Sequence, residues 1–187
     1  MDPDYRKMTR FLRDLGTDET SHSDKSFLAH LVAVHRDLEK WDCDQTVCRA
    51  GMFHSIYGTE LFQKFSLPIE RRDEVRDLIG ERAEHLGYLN CAMDRPSFDA
   101  NFDAESPGQG PDCKMIDRLT GETLELSPDD FQDLSTIQVC DWLEQVGRSK
   151  KWDYRRDAYR TMAHHLGGVA QSSYEKVFAG ENTETVG

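Results

Sequence analysis

The sequence predicts a mainly α-helical fold with one small β-hairpin. Two observations lead to this fold class: apolar residues recur at three- and four-residue intervals through most of the chain, and only one stretch alternates around a short glycine-containing turn. The 187 residues are enough for one domain with a full core. We therefore expect a single domain over residues 1–187.

Four helices are predicted in the first half of the chain. The first three cover residues 5–15, 26–41 and 45–56, each with its apolar residues on one face. A fourth, longer helix is predicted over residues 68–89, because a proline suits its first turn and apolar residues follow at helical intervals.

The second half is predicted to contain a loop, the hairpin and three more helices. Two prolines and two glycines indicate a surface loop over residues 99–112, and the hairpin follows at 115–126. Ser127 and Pro128 then form a strong helix start, since a capping residue precedes a proline in the first turn. The remaining expected segments are helices over residues 154–166 and 169–178 and a frayed tail over 180–187.

The composition restricts the partners and the compartment. Asp and Glu outnumber Lys and Arg by 35 to 23, which gives a net charge of -12 and argues against binding to a nucleic acid polymer. A small anionic substrate or ligand remains the expected partner, because a local basic cluster can override the overall charge. The chain offers neither an apolar run that could cross a bilayer nor a secretory signal, so we expect no membrane association. Its five cysteines form no C-x-x-C pair, which favours reduced thiols and a cytoplasmic protein. The sequence leaves the oligomeric state open.

Two histidines lie within apolar helical faces, where a metal ligand or a core residue is expected. His30 lies among Phe27, Leu31 and Val34, and His54 follows an apolar run that ends at Phe53. Neutral imidazole is the commonest transition-metal ligand in proteins. From spacing alone, a core histidine hydrogen-bonded to a backbone carbonyl remains the alternative.

The surroundings of these histidines resemble the HD superfamily of metal-dependent phosphohydrolases, and in particular the alarmone hydrolase domains. The segments His30-Leu-Val-Ala-Val and Ala50-Gly-Met-Phe-His54 match its first two motifs, with 24 residues between the two histidines (54 − 30). The segment around Asp141-Trp-Leu-Glu-Gln resembles the helix that supplies the last aspartate ligand. The resemblance implies an HD-like helical bundle in which His30, His54 and Asp141 bind one divalent Mn, Fe or Zn ion.

One departure from the superfamily concerns the metal site. Ser55 follows His54 where the superfamily has a metal-binding aspartate, and a neutral hydroxyl is a poorer ligand for a divalent cation. The string F-H-S-I-Y-G-T-E at residues 53–60 is typical of an uncharacterised family, so Ser55 belongs to that family's pattern. Glu60 is a candidate replacement for the missing acid.

The resemblance implies a metal-dependent enzyme that hydrolyses a small phosphate ester or a nucleotide. Glu60 and Asp94 are the candidate catalytic residues, as general base or as partner of a ligand histidine. Two alternatives remain open: a catalytically silent ligand-binding or regulatory domain without metal, and a mononuclear iron oxygenase. The candidate substrate-binding residues are Tyr57, Thr59, Asn90 and Arg95.

Overall fold

Helices dominate the structure, a computed structural model that describes residues 2–22, 25–102 and 113–181. The predicted mainly α fold with a small hairpin is confirmed. The helices are α1 (Tyr5–Asp14), α2 (Phe27–Lys40), α3 (Gln45–Phe53), α4 (Arg72–Ile79), α5 (Glu81–Ala92), α6 (Arg95–Asp99), α7 (Pro128–Ser149), α8 (Arg156–Leu166) and α9 (Gly168–Ala179). The strands are β1 (Ser21–His22), β2 (Lys25–Ser26), β3 (Lys114–Ile116) and β4 (Thr123–Glu125), paired antiparallel as β1–β2 and β3–β4.

Three helices at the centre of the fold begin at side-chain caps that the sequence encodes. Ser26 accepts a hydrogen bond from the backbone of Ala29 at the start of α2, and Asp44 accepts two at the start of α3. Ser127 accepts one from Asp130 at the start of α7, as predicted. Each cap satisfies backbone N–H groups that have no partner within the helix and thereby fixes where the helix begins.

Helix α2 packs against α3 and α7, and α3 also packs against α5. The α2–α3 contact is close because of Gly51, where a β-carbon would overlap the side chain of Leu38. Both Leu38 and Gly51 are buried. This crossing places the end of α3 beside the first turns of α2.

The prediction of one long helix over residues 68–89 is wrong. A short 3-10 turn at Ile69–Arg71 leads into α4, and α4 and α5 are separate helices that meet at Gly80. The backbone of Gly80 has φ 93° and ψ 153°, far from helical values, which a residue with a side chain rarely adopts. The apolar spacing continues across Gly80 and conceals this break.

Two features of the structure were not predicted. The β1–β2 pair spans only two residues on each side, and α6 with the 3-10 turn at Ala100–Phe102 occupies the start of the predicted loop over 99–112. The rest of that loop, 103–112, lies outside the described residues, as does 182–187 of the predicted tail. The other predicted helices are present, with ends that differ from the prediction by at most three residues.

Two observations bear on the expected environment of the protein. Within the described ranges, no helix is both long and apolar enough to span a bilayer. All five cysteines belong to these ranges and carry free thiols, in agreement with the predicted reduced state.

Candidate metal centre

Three buried side chains, from α2, from the end of α3 and from α7, converge in the protein interior. His30 lies in the first turns of α2, His54 directly follows the last residue of α3, and Asp141 lies in the middle of α7. One nitrogen of each histidine and one carboxylate oxygen lie within 4.8 Å of one another. The structure thus brings together the three residues that the sequence suggested as metal ligands.

The distances in this cluster suit a single ion. Asp141 Oδ1 lies 3.1 Å from His30 Nε2 and 3.4 Å from His54 Nε2. The two imidazole rings are nearly perpendicular, with centroids 5.2 Å apart. Since metal–nitrogen and metal–oxygen bonds are about 2.0–2.2 Å long, ligand atoms up to roughly 4 Å apart can share one ion. Two histidines and a carboxylate are a common ligand set for zinc and for non-haem iron.

The other nitrogen of each imidazole has its own hydrogen-bond partner. His54 Nδ1 lies 2.7 Å from the carbonyl oxygen of Gly51, so it must donate its proton there and leave Nε2 toward Asp141. His30 Nδ1 lies 2.7 Å from Glu144 Oε2, and Arg148 binds the same carboxylate. Metal-binding histidines typically donate their second nitrogen to a carbonyl or a carboxylate, which fixes the tautomer and the ring orientation.

The cluster also perturbs the protonation of its members. Burial alone would lower the pKa of His30, but the carboxylates of Asp141 and Glu144 outweigh it and raise the pKa to about 9. Burial alone would raise the pKa of Asp141, whereas the two histidines hold it well below its usual value. In the absence of another cation, the carboxylates therefore favour a charged His30 at neutral pH.

A cavity of about 350 Å³ opens beside this cluster. His54 and Asp141 contribute to its wall, and the wall also carries three cationic side chains, those of Lys64, Arg95 and Lys151. Four aromatic side chains also line it. The other lining residues are Ser55, Thr59, Leu61, Phe62, Trp142, Gln145, Ser149, Tyr154 and Tyr159.

The predicted substrate-binding residues divide into two pairs. Thr59 and Arg95 line the cavity. The buried phenol of Tyr57 instead donates to Glu84, with an oxygen–oxygen distance of 2.9 Å. Asn90 donates to the carbonyl oxygen of His54 at 2.7 Å and accepts from Gln138 at 2.6 Å. These internal contacts occupy Tyr57 and Asn90, and neither is among the described residues that line the cavity.

The two predicted catalytic carboxylates lie near the cavity rather than in its wall. Asp94 caps α6 by accepting a hydrogen bond from the backbone of Ser97 at 2.9 Å. Glu60 is partly exposed, and its Oε2 atom lies 3.6 Å from Nη1 of Arg95. Of these two carboxylates, Glu60 is therefore the one that faces a cavity residue.

Sequence reasoning missed several residues of α7 around Asp141. Glu144 contacts His30, Gln145 donates to Asp141 Oδ1 at 2.9 Å, and Trp142 lines the cavity. Glu144 and Gln145 follow Asp141 by three and four residues and therefore lie on the same face of the helix. This spacing is the signal that could have identified them.

Comparison with known proteins identifies one related family. The model of a domain of unknown function (DUF6817) matches residues 11–95, just under half of the chain. The matched segment includes His30 and His54, whereas Asp141 lies beyond it. Neither the curated proteins nor the solved structures contain a significant match.

Proposed function

We propose that the protein is a metal-dependent phosphohydrolase that holds one divalent ion between His30, His54 and Asp141. The observation that carries this proposal is the convergence of two imidazole nitrogens and a carboxylate oxygen within 4.8 Å in the protein interior. The contacts from Gly51 and Glu144 to the two histidines add support, because they orient both rings toward a common point.

The cavity beside the cluster suits a small anionic substrate. A bound divalent ion would supply Lewis acidity for a phosphoryl oxygen and lower the pKa of a water ligand. Arg95, Lys64 and Lys151 would balance the negative charge of the substrate, and Thr59 offers a hydroxyl in the same wall. Glu60 is the candidate proton acceptor, because its carboxylate lies 3.6 Å from Arg95 and therefore next to the cavity wall. The substrate class we propose is a small phosphate ester or a nucleotide.

The ion pairs of His30 favour a second candidate function, a ligand-binding domain without metal. His30 lies between two carboxylates, 3.1 Å from Asp141 and 2.7 Å from Glu144. A protonated imidazole would satisfy both acids without an ion. On this reading the cavity would bind a small anion and perform no chemistry.

Metal analysis distinguishes the two candidates. We expect the protein, purified without a chelating tag, to contain close to one ion per chain after incubation with Mn²⁺, Fe²⁺ or Zn²⁺. His54→Ala and Asp141→Ala should lose that ion, while the surface variants His85→Ala and Asp153→Ala should retain it. Loaded protein is then assayed against phosphate esters and, for the iron form, for oxygen consumption. Absence of bound metal under all three conditions would favour the metal-free domain.

A further inference from the structure

We propose that Arg95 and Trp142 form an oxyanion-binding subsite in the cavity wall that takes the phosphate group of the ligand. The proposal deepens the proposed function by assigning the group that holds the substrate. The assignment of the bound phosphate group to a substrate rests on that function. Binding of the phosphate by Arg95 and Trp142 does not itself require a metal ion.

Arg95 carries a buried guanidinium group whose hydrogen-bonding capacity is not fully used. Only 10% of its side chain is exposed. Its Nε and Nη1 atoms are buried and have no hydrogen-bond partner among the residues that the structure describes. The Glu60 carboxylate lies 3.6 Å from Nη1, beyond hydrogen-bonding distance. Because a guanidinium cannot lose its proton to relieve this burial, an incoming anion is the natural partner.

Trp142, which lines the same cavity, carries a second buried donor. Its indole Nε1 is buried without a hydrogen-bond acceptor within the described ranges. The ring itself is held in place: it stacks on Tyr159 with centroids 5.2 Å apart and packs against Tyr154 at the same distance. A buried indole N–H usually has an acceptor, so this fixed donor is available to an acceptor atom of a ligand.

The two side chains together select for an acceptor-only group. Arginine and the indole nitrogen donate hydrogen bonds and accept none. They come from different elements, α6 and α7, and both line the cavity that contains Asp141 and His54. A phosphate group offers several acceptor oxygens and a charge that the guanidinium can pair with directly. Lys64 and Lys151 in the same wall favour an anion of higher charge than a carboxylate.

Calorimetric titration of inorganic phosphate into the full chain, freed of metal by a chelator, tests the subsite. We expect phosphate to bind the wild-type protein and Arg95→Gln to weaken binding by about tenfold or more, as for loss of a charged hydrogen bond. Trp142→Phe keeps a stacking ring and removes only the donor, so we expect a smaller loss of roughly threefold to tenfold. Arg10→Gln and Trp152→Phe should bind phosphate like the wild type.

Three further arms separate this proposal from the proposed function. Arg95→Lys, which keeps the positive charge but lacks the planar guanidinium group, should recover only part of the phosphate affinity. Circular dichroism checks that each variant is folded. Glu60→Gln should tighten phosphate binding, because it removes the carboxylate next to Arg95. If Asp141→Ala binds no metal but the metal-free wild type still binds phosphate through Arg95, the subsite stands whether or not the protein is a hydrolase.

Two outcomes would overturn the subsite. One is phosphate binding that requires metal and is unchanged in Arg95→Gln and Trp142→Phe. That outcome would exclude the subsite but would not contradict the proposed metal centre. The other is equal affinity for acetate and phosphate, which would remove the assignment to phosphate.

Discussion

Glu144 gives His30 a second carboxylate on the side opposite Asp141. The two acids come from one helix, one turn apart, and contact the two nitrogens of the same ring. The side chain of Glu144 is only 5% exposed, and Arg148 holds its carboxylate in place. A buried carboxylate on the outer nitrogen raises the basicity of the inner nitrogen and fixes its direction. Glu144 is therefore a positioning residue for the proposed centre.

Glu144→Gln should weaken metal binding by about 10- to 100-fold, the usual effect of losing such a partner. The glutamine can still accept a hydrogen bond from His30 Nδ1, so we expect the fold to persist while the charge is lost. Metal dissociation constants from competition with a coloured chelator measure the effect. Glu39→Gln is the matched control, because Glu39 stands near His35 on α2. An unchanged dissociation constant in Glu144→Gln would exclude a positioning role.

The sequence was sufficient to propose His30, His54 and Asp141, but only because a family resemblance supplied the third ligand. Glu144 lies 114 residues from His30 in the chain. The spacing from Asp141 places Glu144 on the same face of α7, but which histidine it contacts depends on how α7 packs against α2. Tyr57 and Asn90 illustrate the converse: each was predicted to bind the substrate, yet each bonds to another buried side chain instead of lining the cavity.

The α2–α3 crossing determines the relation between the two histidines. Gly51 allows α3 to approach Leu38 and Val34 of α2, and His54 follows three residues later. The Gly51 carbonyl also accepts the hydrogen bond that orients His54. A single glycine thus contributes both to the helix spacing and to the direction of one ligand.

Gly51→Ala should destabilise the protein by about 1–3 kcal/mol, because the added methyl group overpacks the interface with Leu38. It should also weaken metal binding, since α3 and His54 must shift. Gly147→Ala is the matched control: Gly147 lies in helix α7 with no atom near an added β-carbon, so we expect a gain of up to about 1 kcal/mol. Urea denaturation measures the free energy of unfolding of both variants. Equal stability changes in the two variants would contradict the close approach at Gly51.

Element boundaries were predictable where a side chain encodes them. Ser26, Asp44 and Ser127 are visible caps, and the helices begin after them. Gly80 is an equally visible residue, but the residue type does not reveal its positive φ, because a glycine can also continue a helix at modest cost. This difference explains why one long helix was expected where two occur.

The proposed centre joins segments that are far apart in the chain, because its ligands come from α2, the end of α3 and α7. An ion held by all three helices would bind the folded chain far more tightly than the unfolded chain. Binding therefore adds to the free energy of unfolding through mass action.

Saturating metal should raise the melting temperature of the protein, with a stabilisation of about 2.7 kcal/mol when free metal is 100 times its dissociation constant. A chelator should reverse the shift, and Asp141→Asn should not show it. The melting temperature of Asp153→Asn, which changes an exposed acid, should rise with metal as it does in the wild type. Thermal unfolding followed by circular dichroism gives the comparison. A melting temperature that does not respond to any of the three candidate ions would argue against a folded-state metal site.

The 22-residue helix α7 carries Asp141, Trp142, Glu144 and Gln145, whereas both histidines belong to the segment that resembles the uncharacterised domain. The matched segment holds two of the three proposed ligands, and α7 holds the third. A bound ion would therefore link the matched segment to α7. The absorption spectrum of a bound Co²⁺ ion would then report directly whether α7 is docked. For the same reason, a related chain that lacks a counterpart of α7 would keep the two histidines but would lack the third ligand.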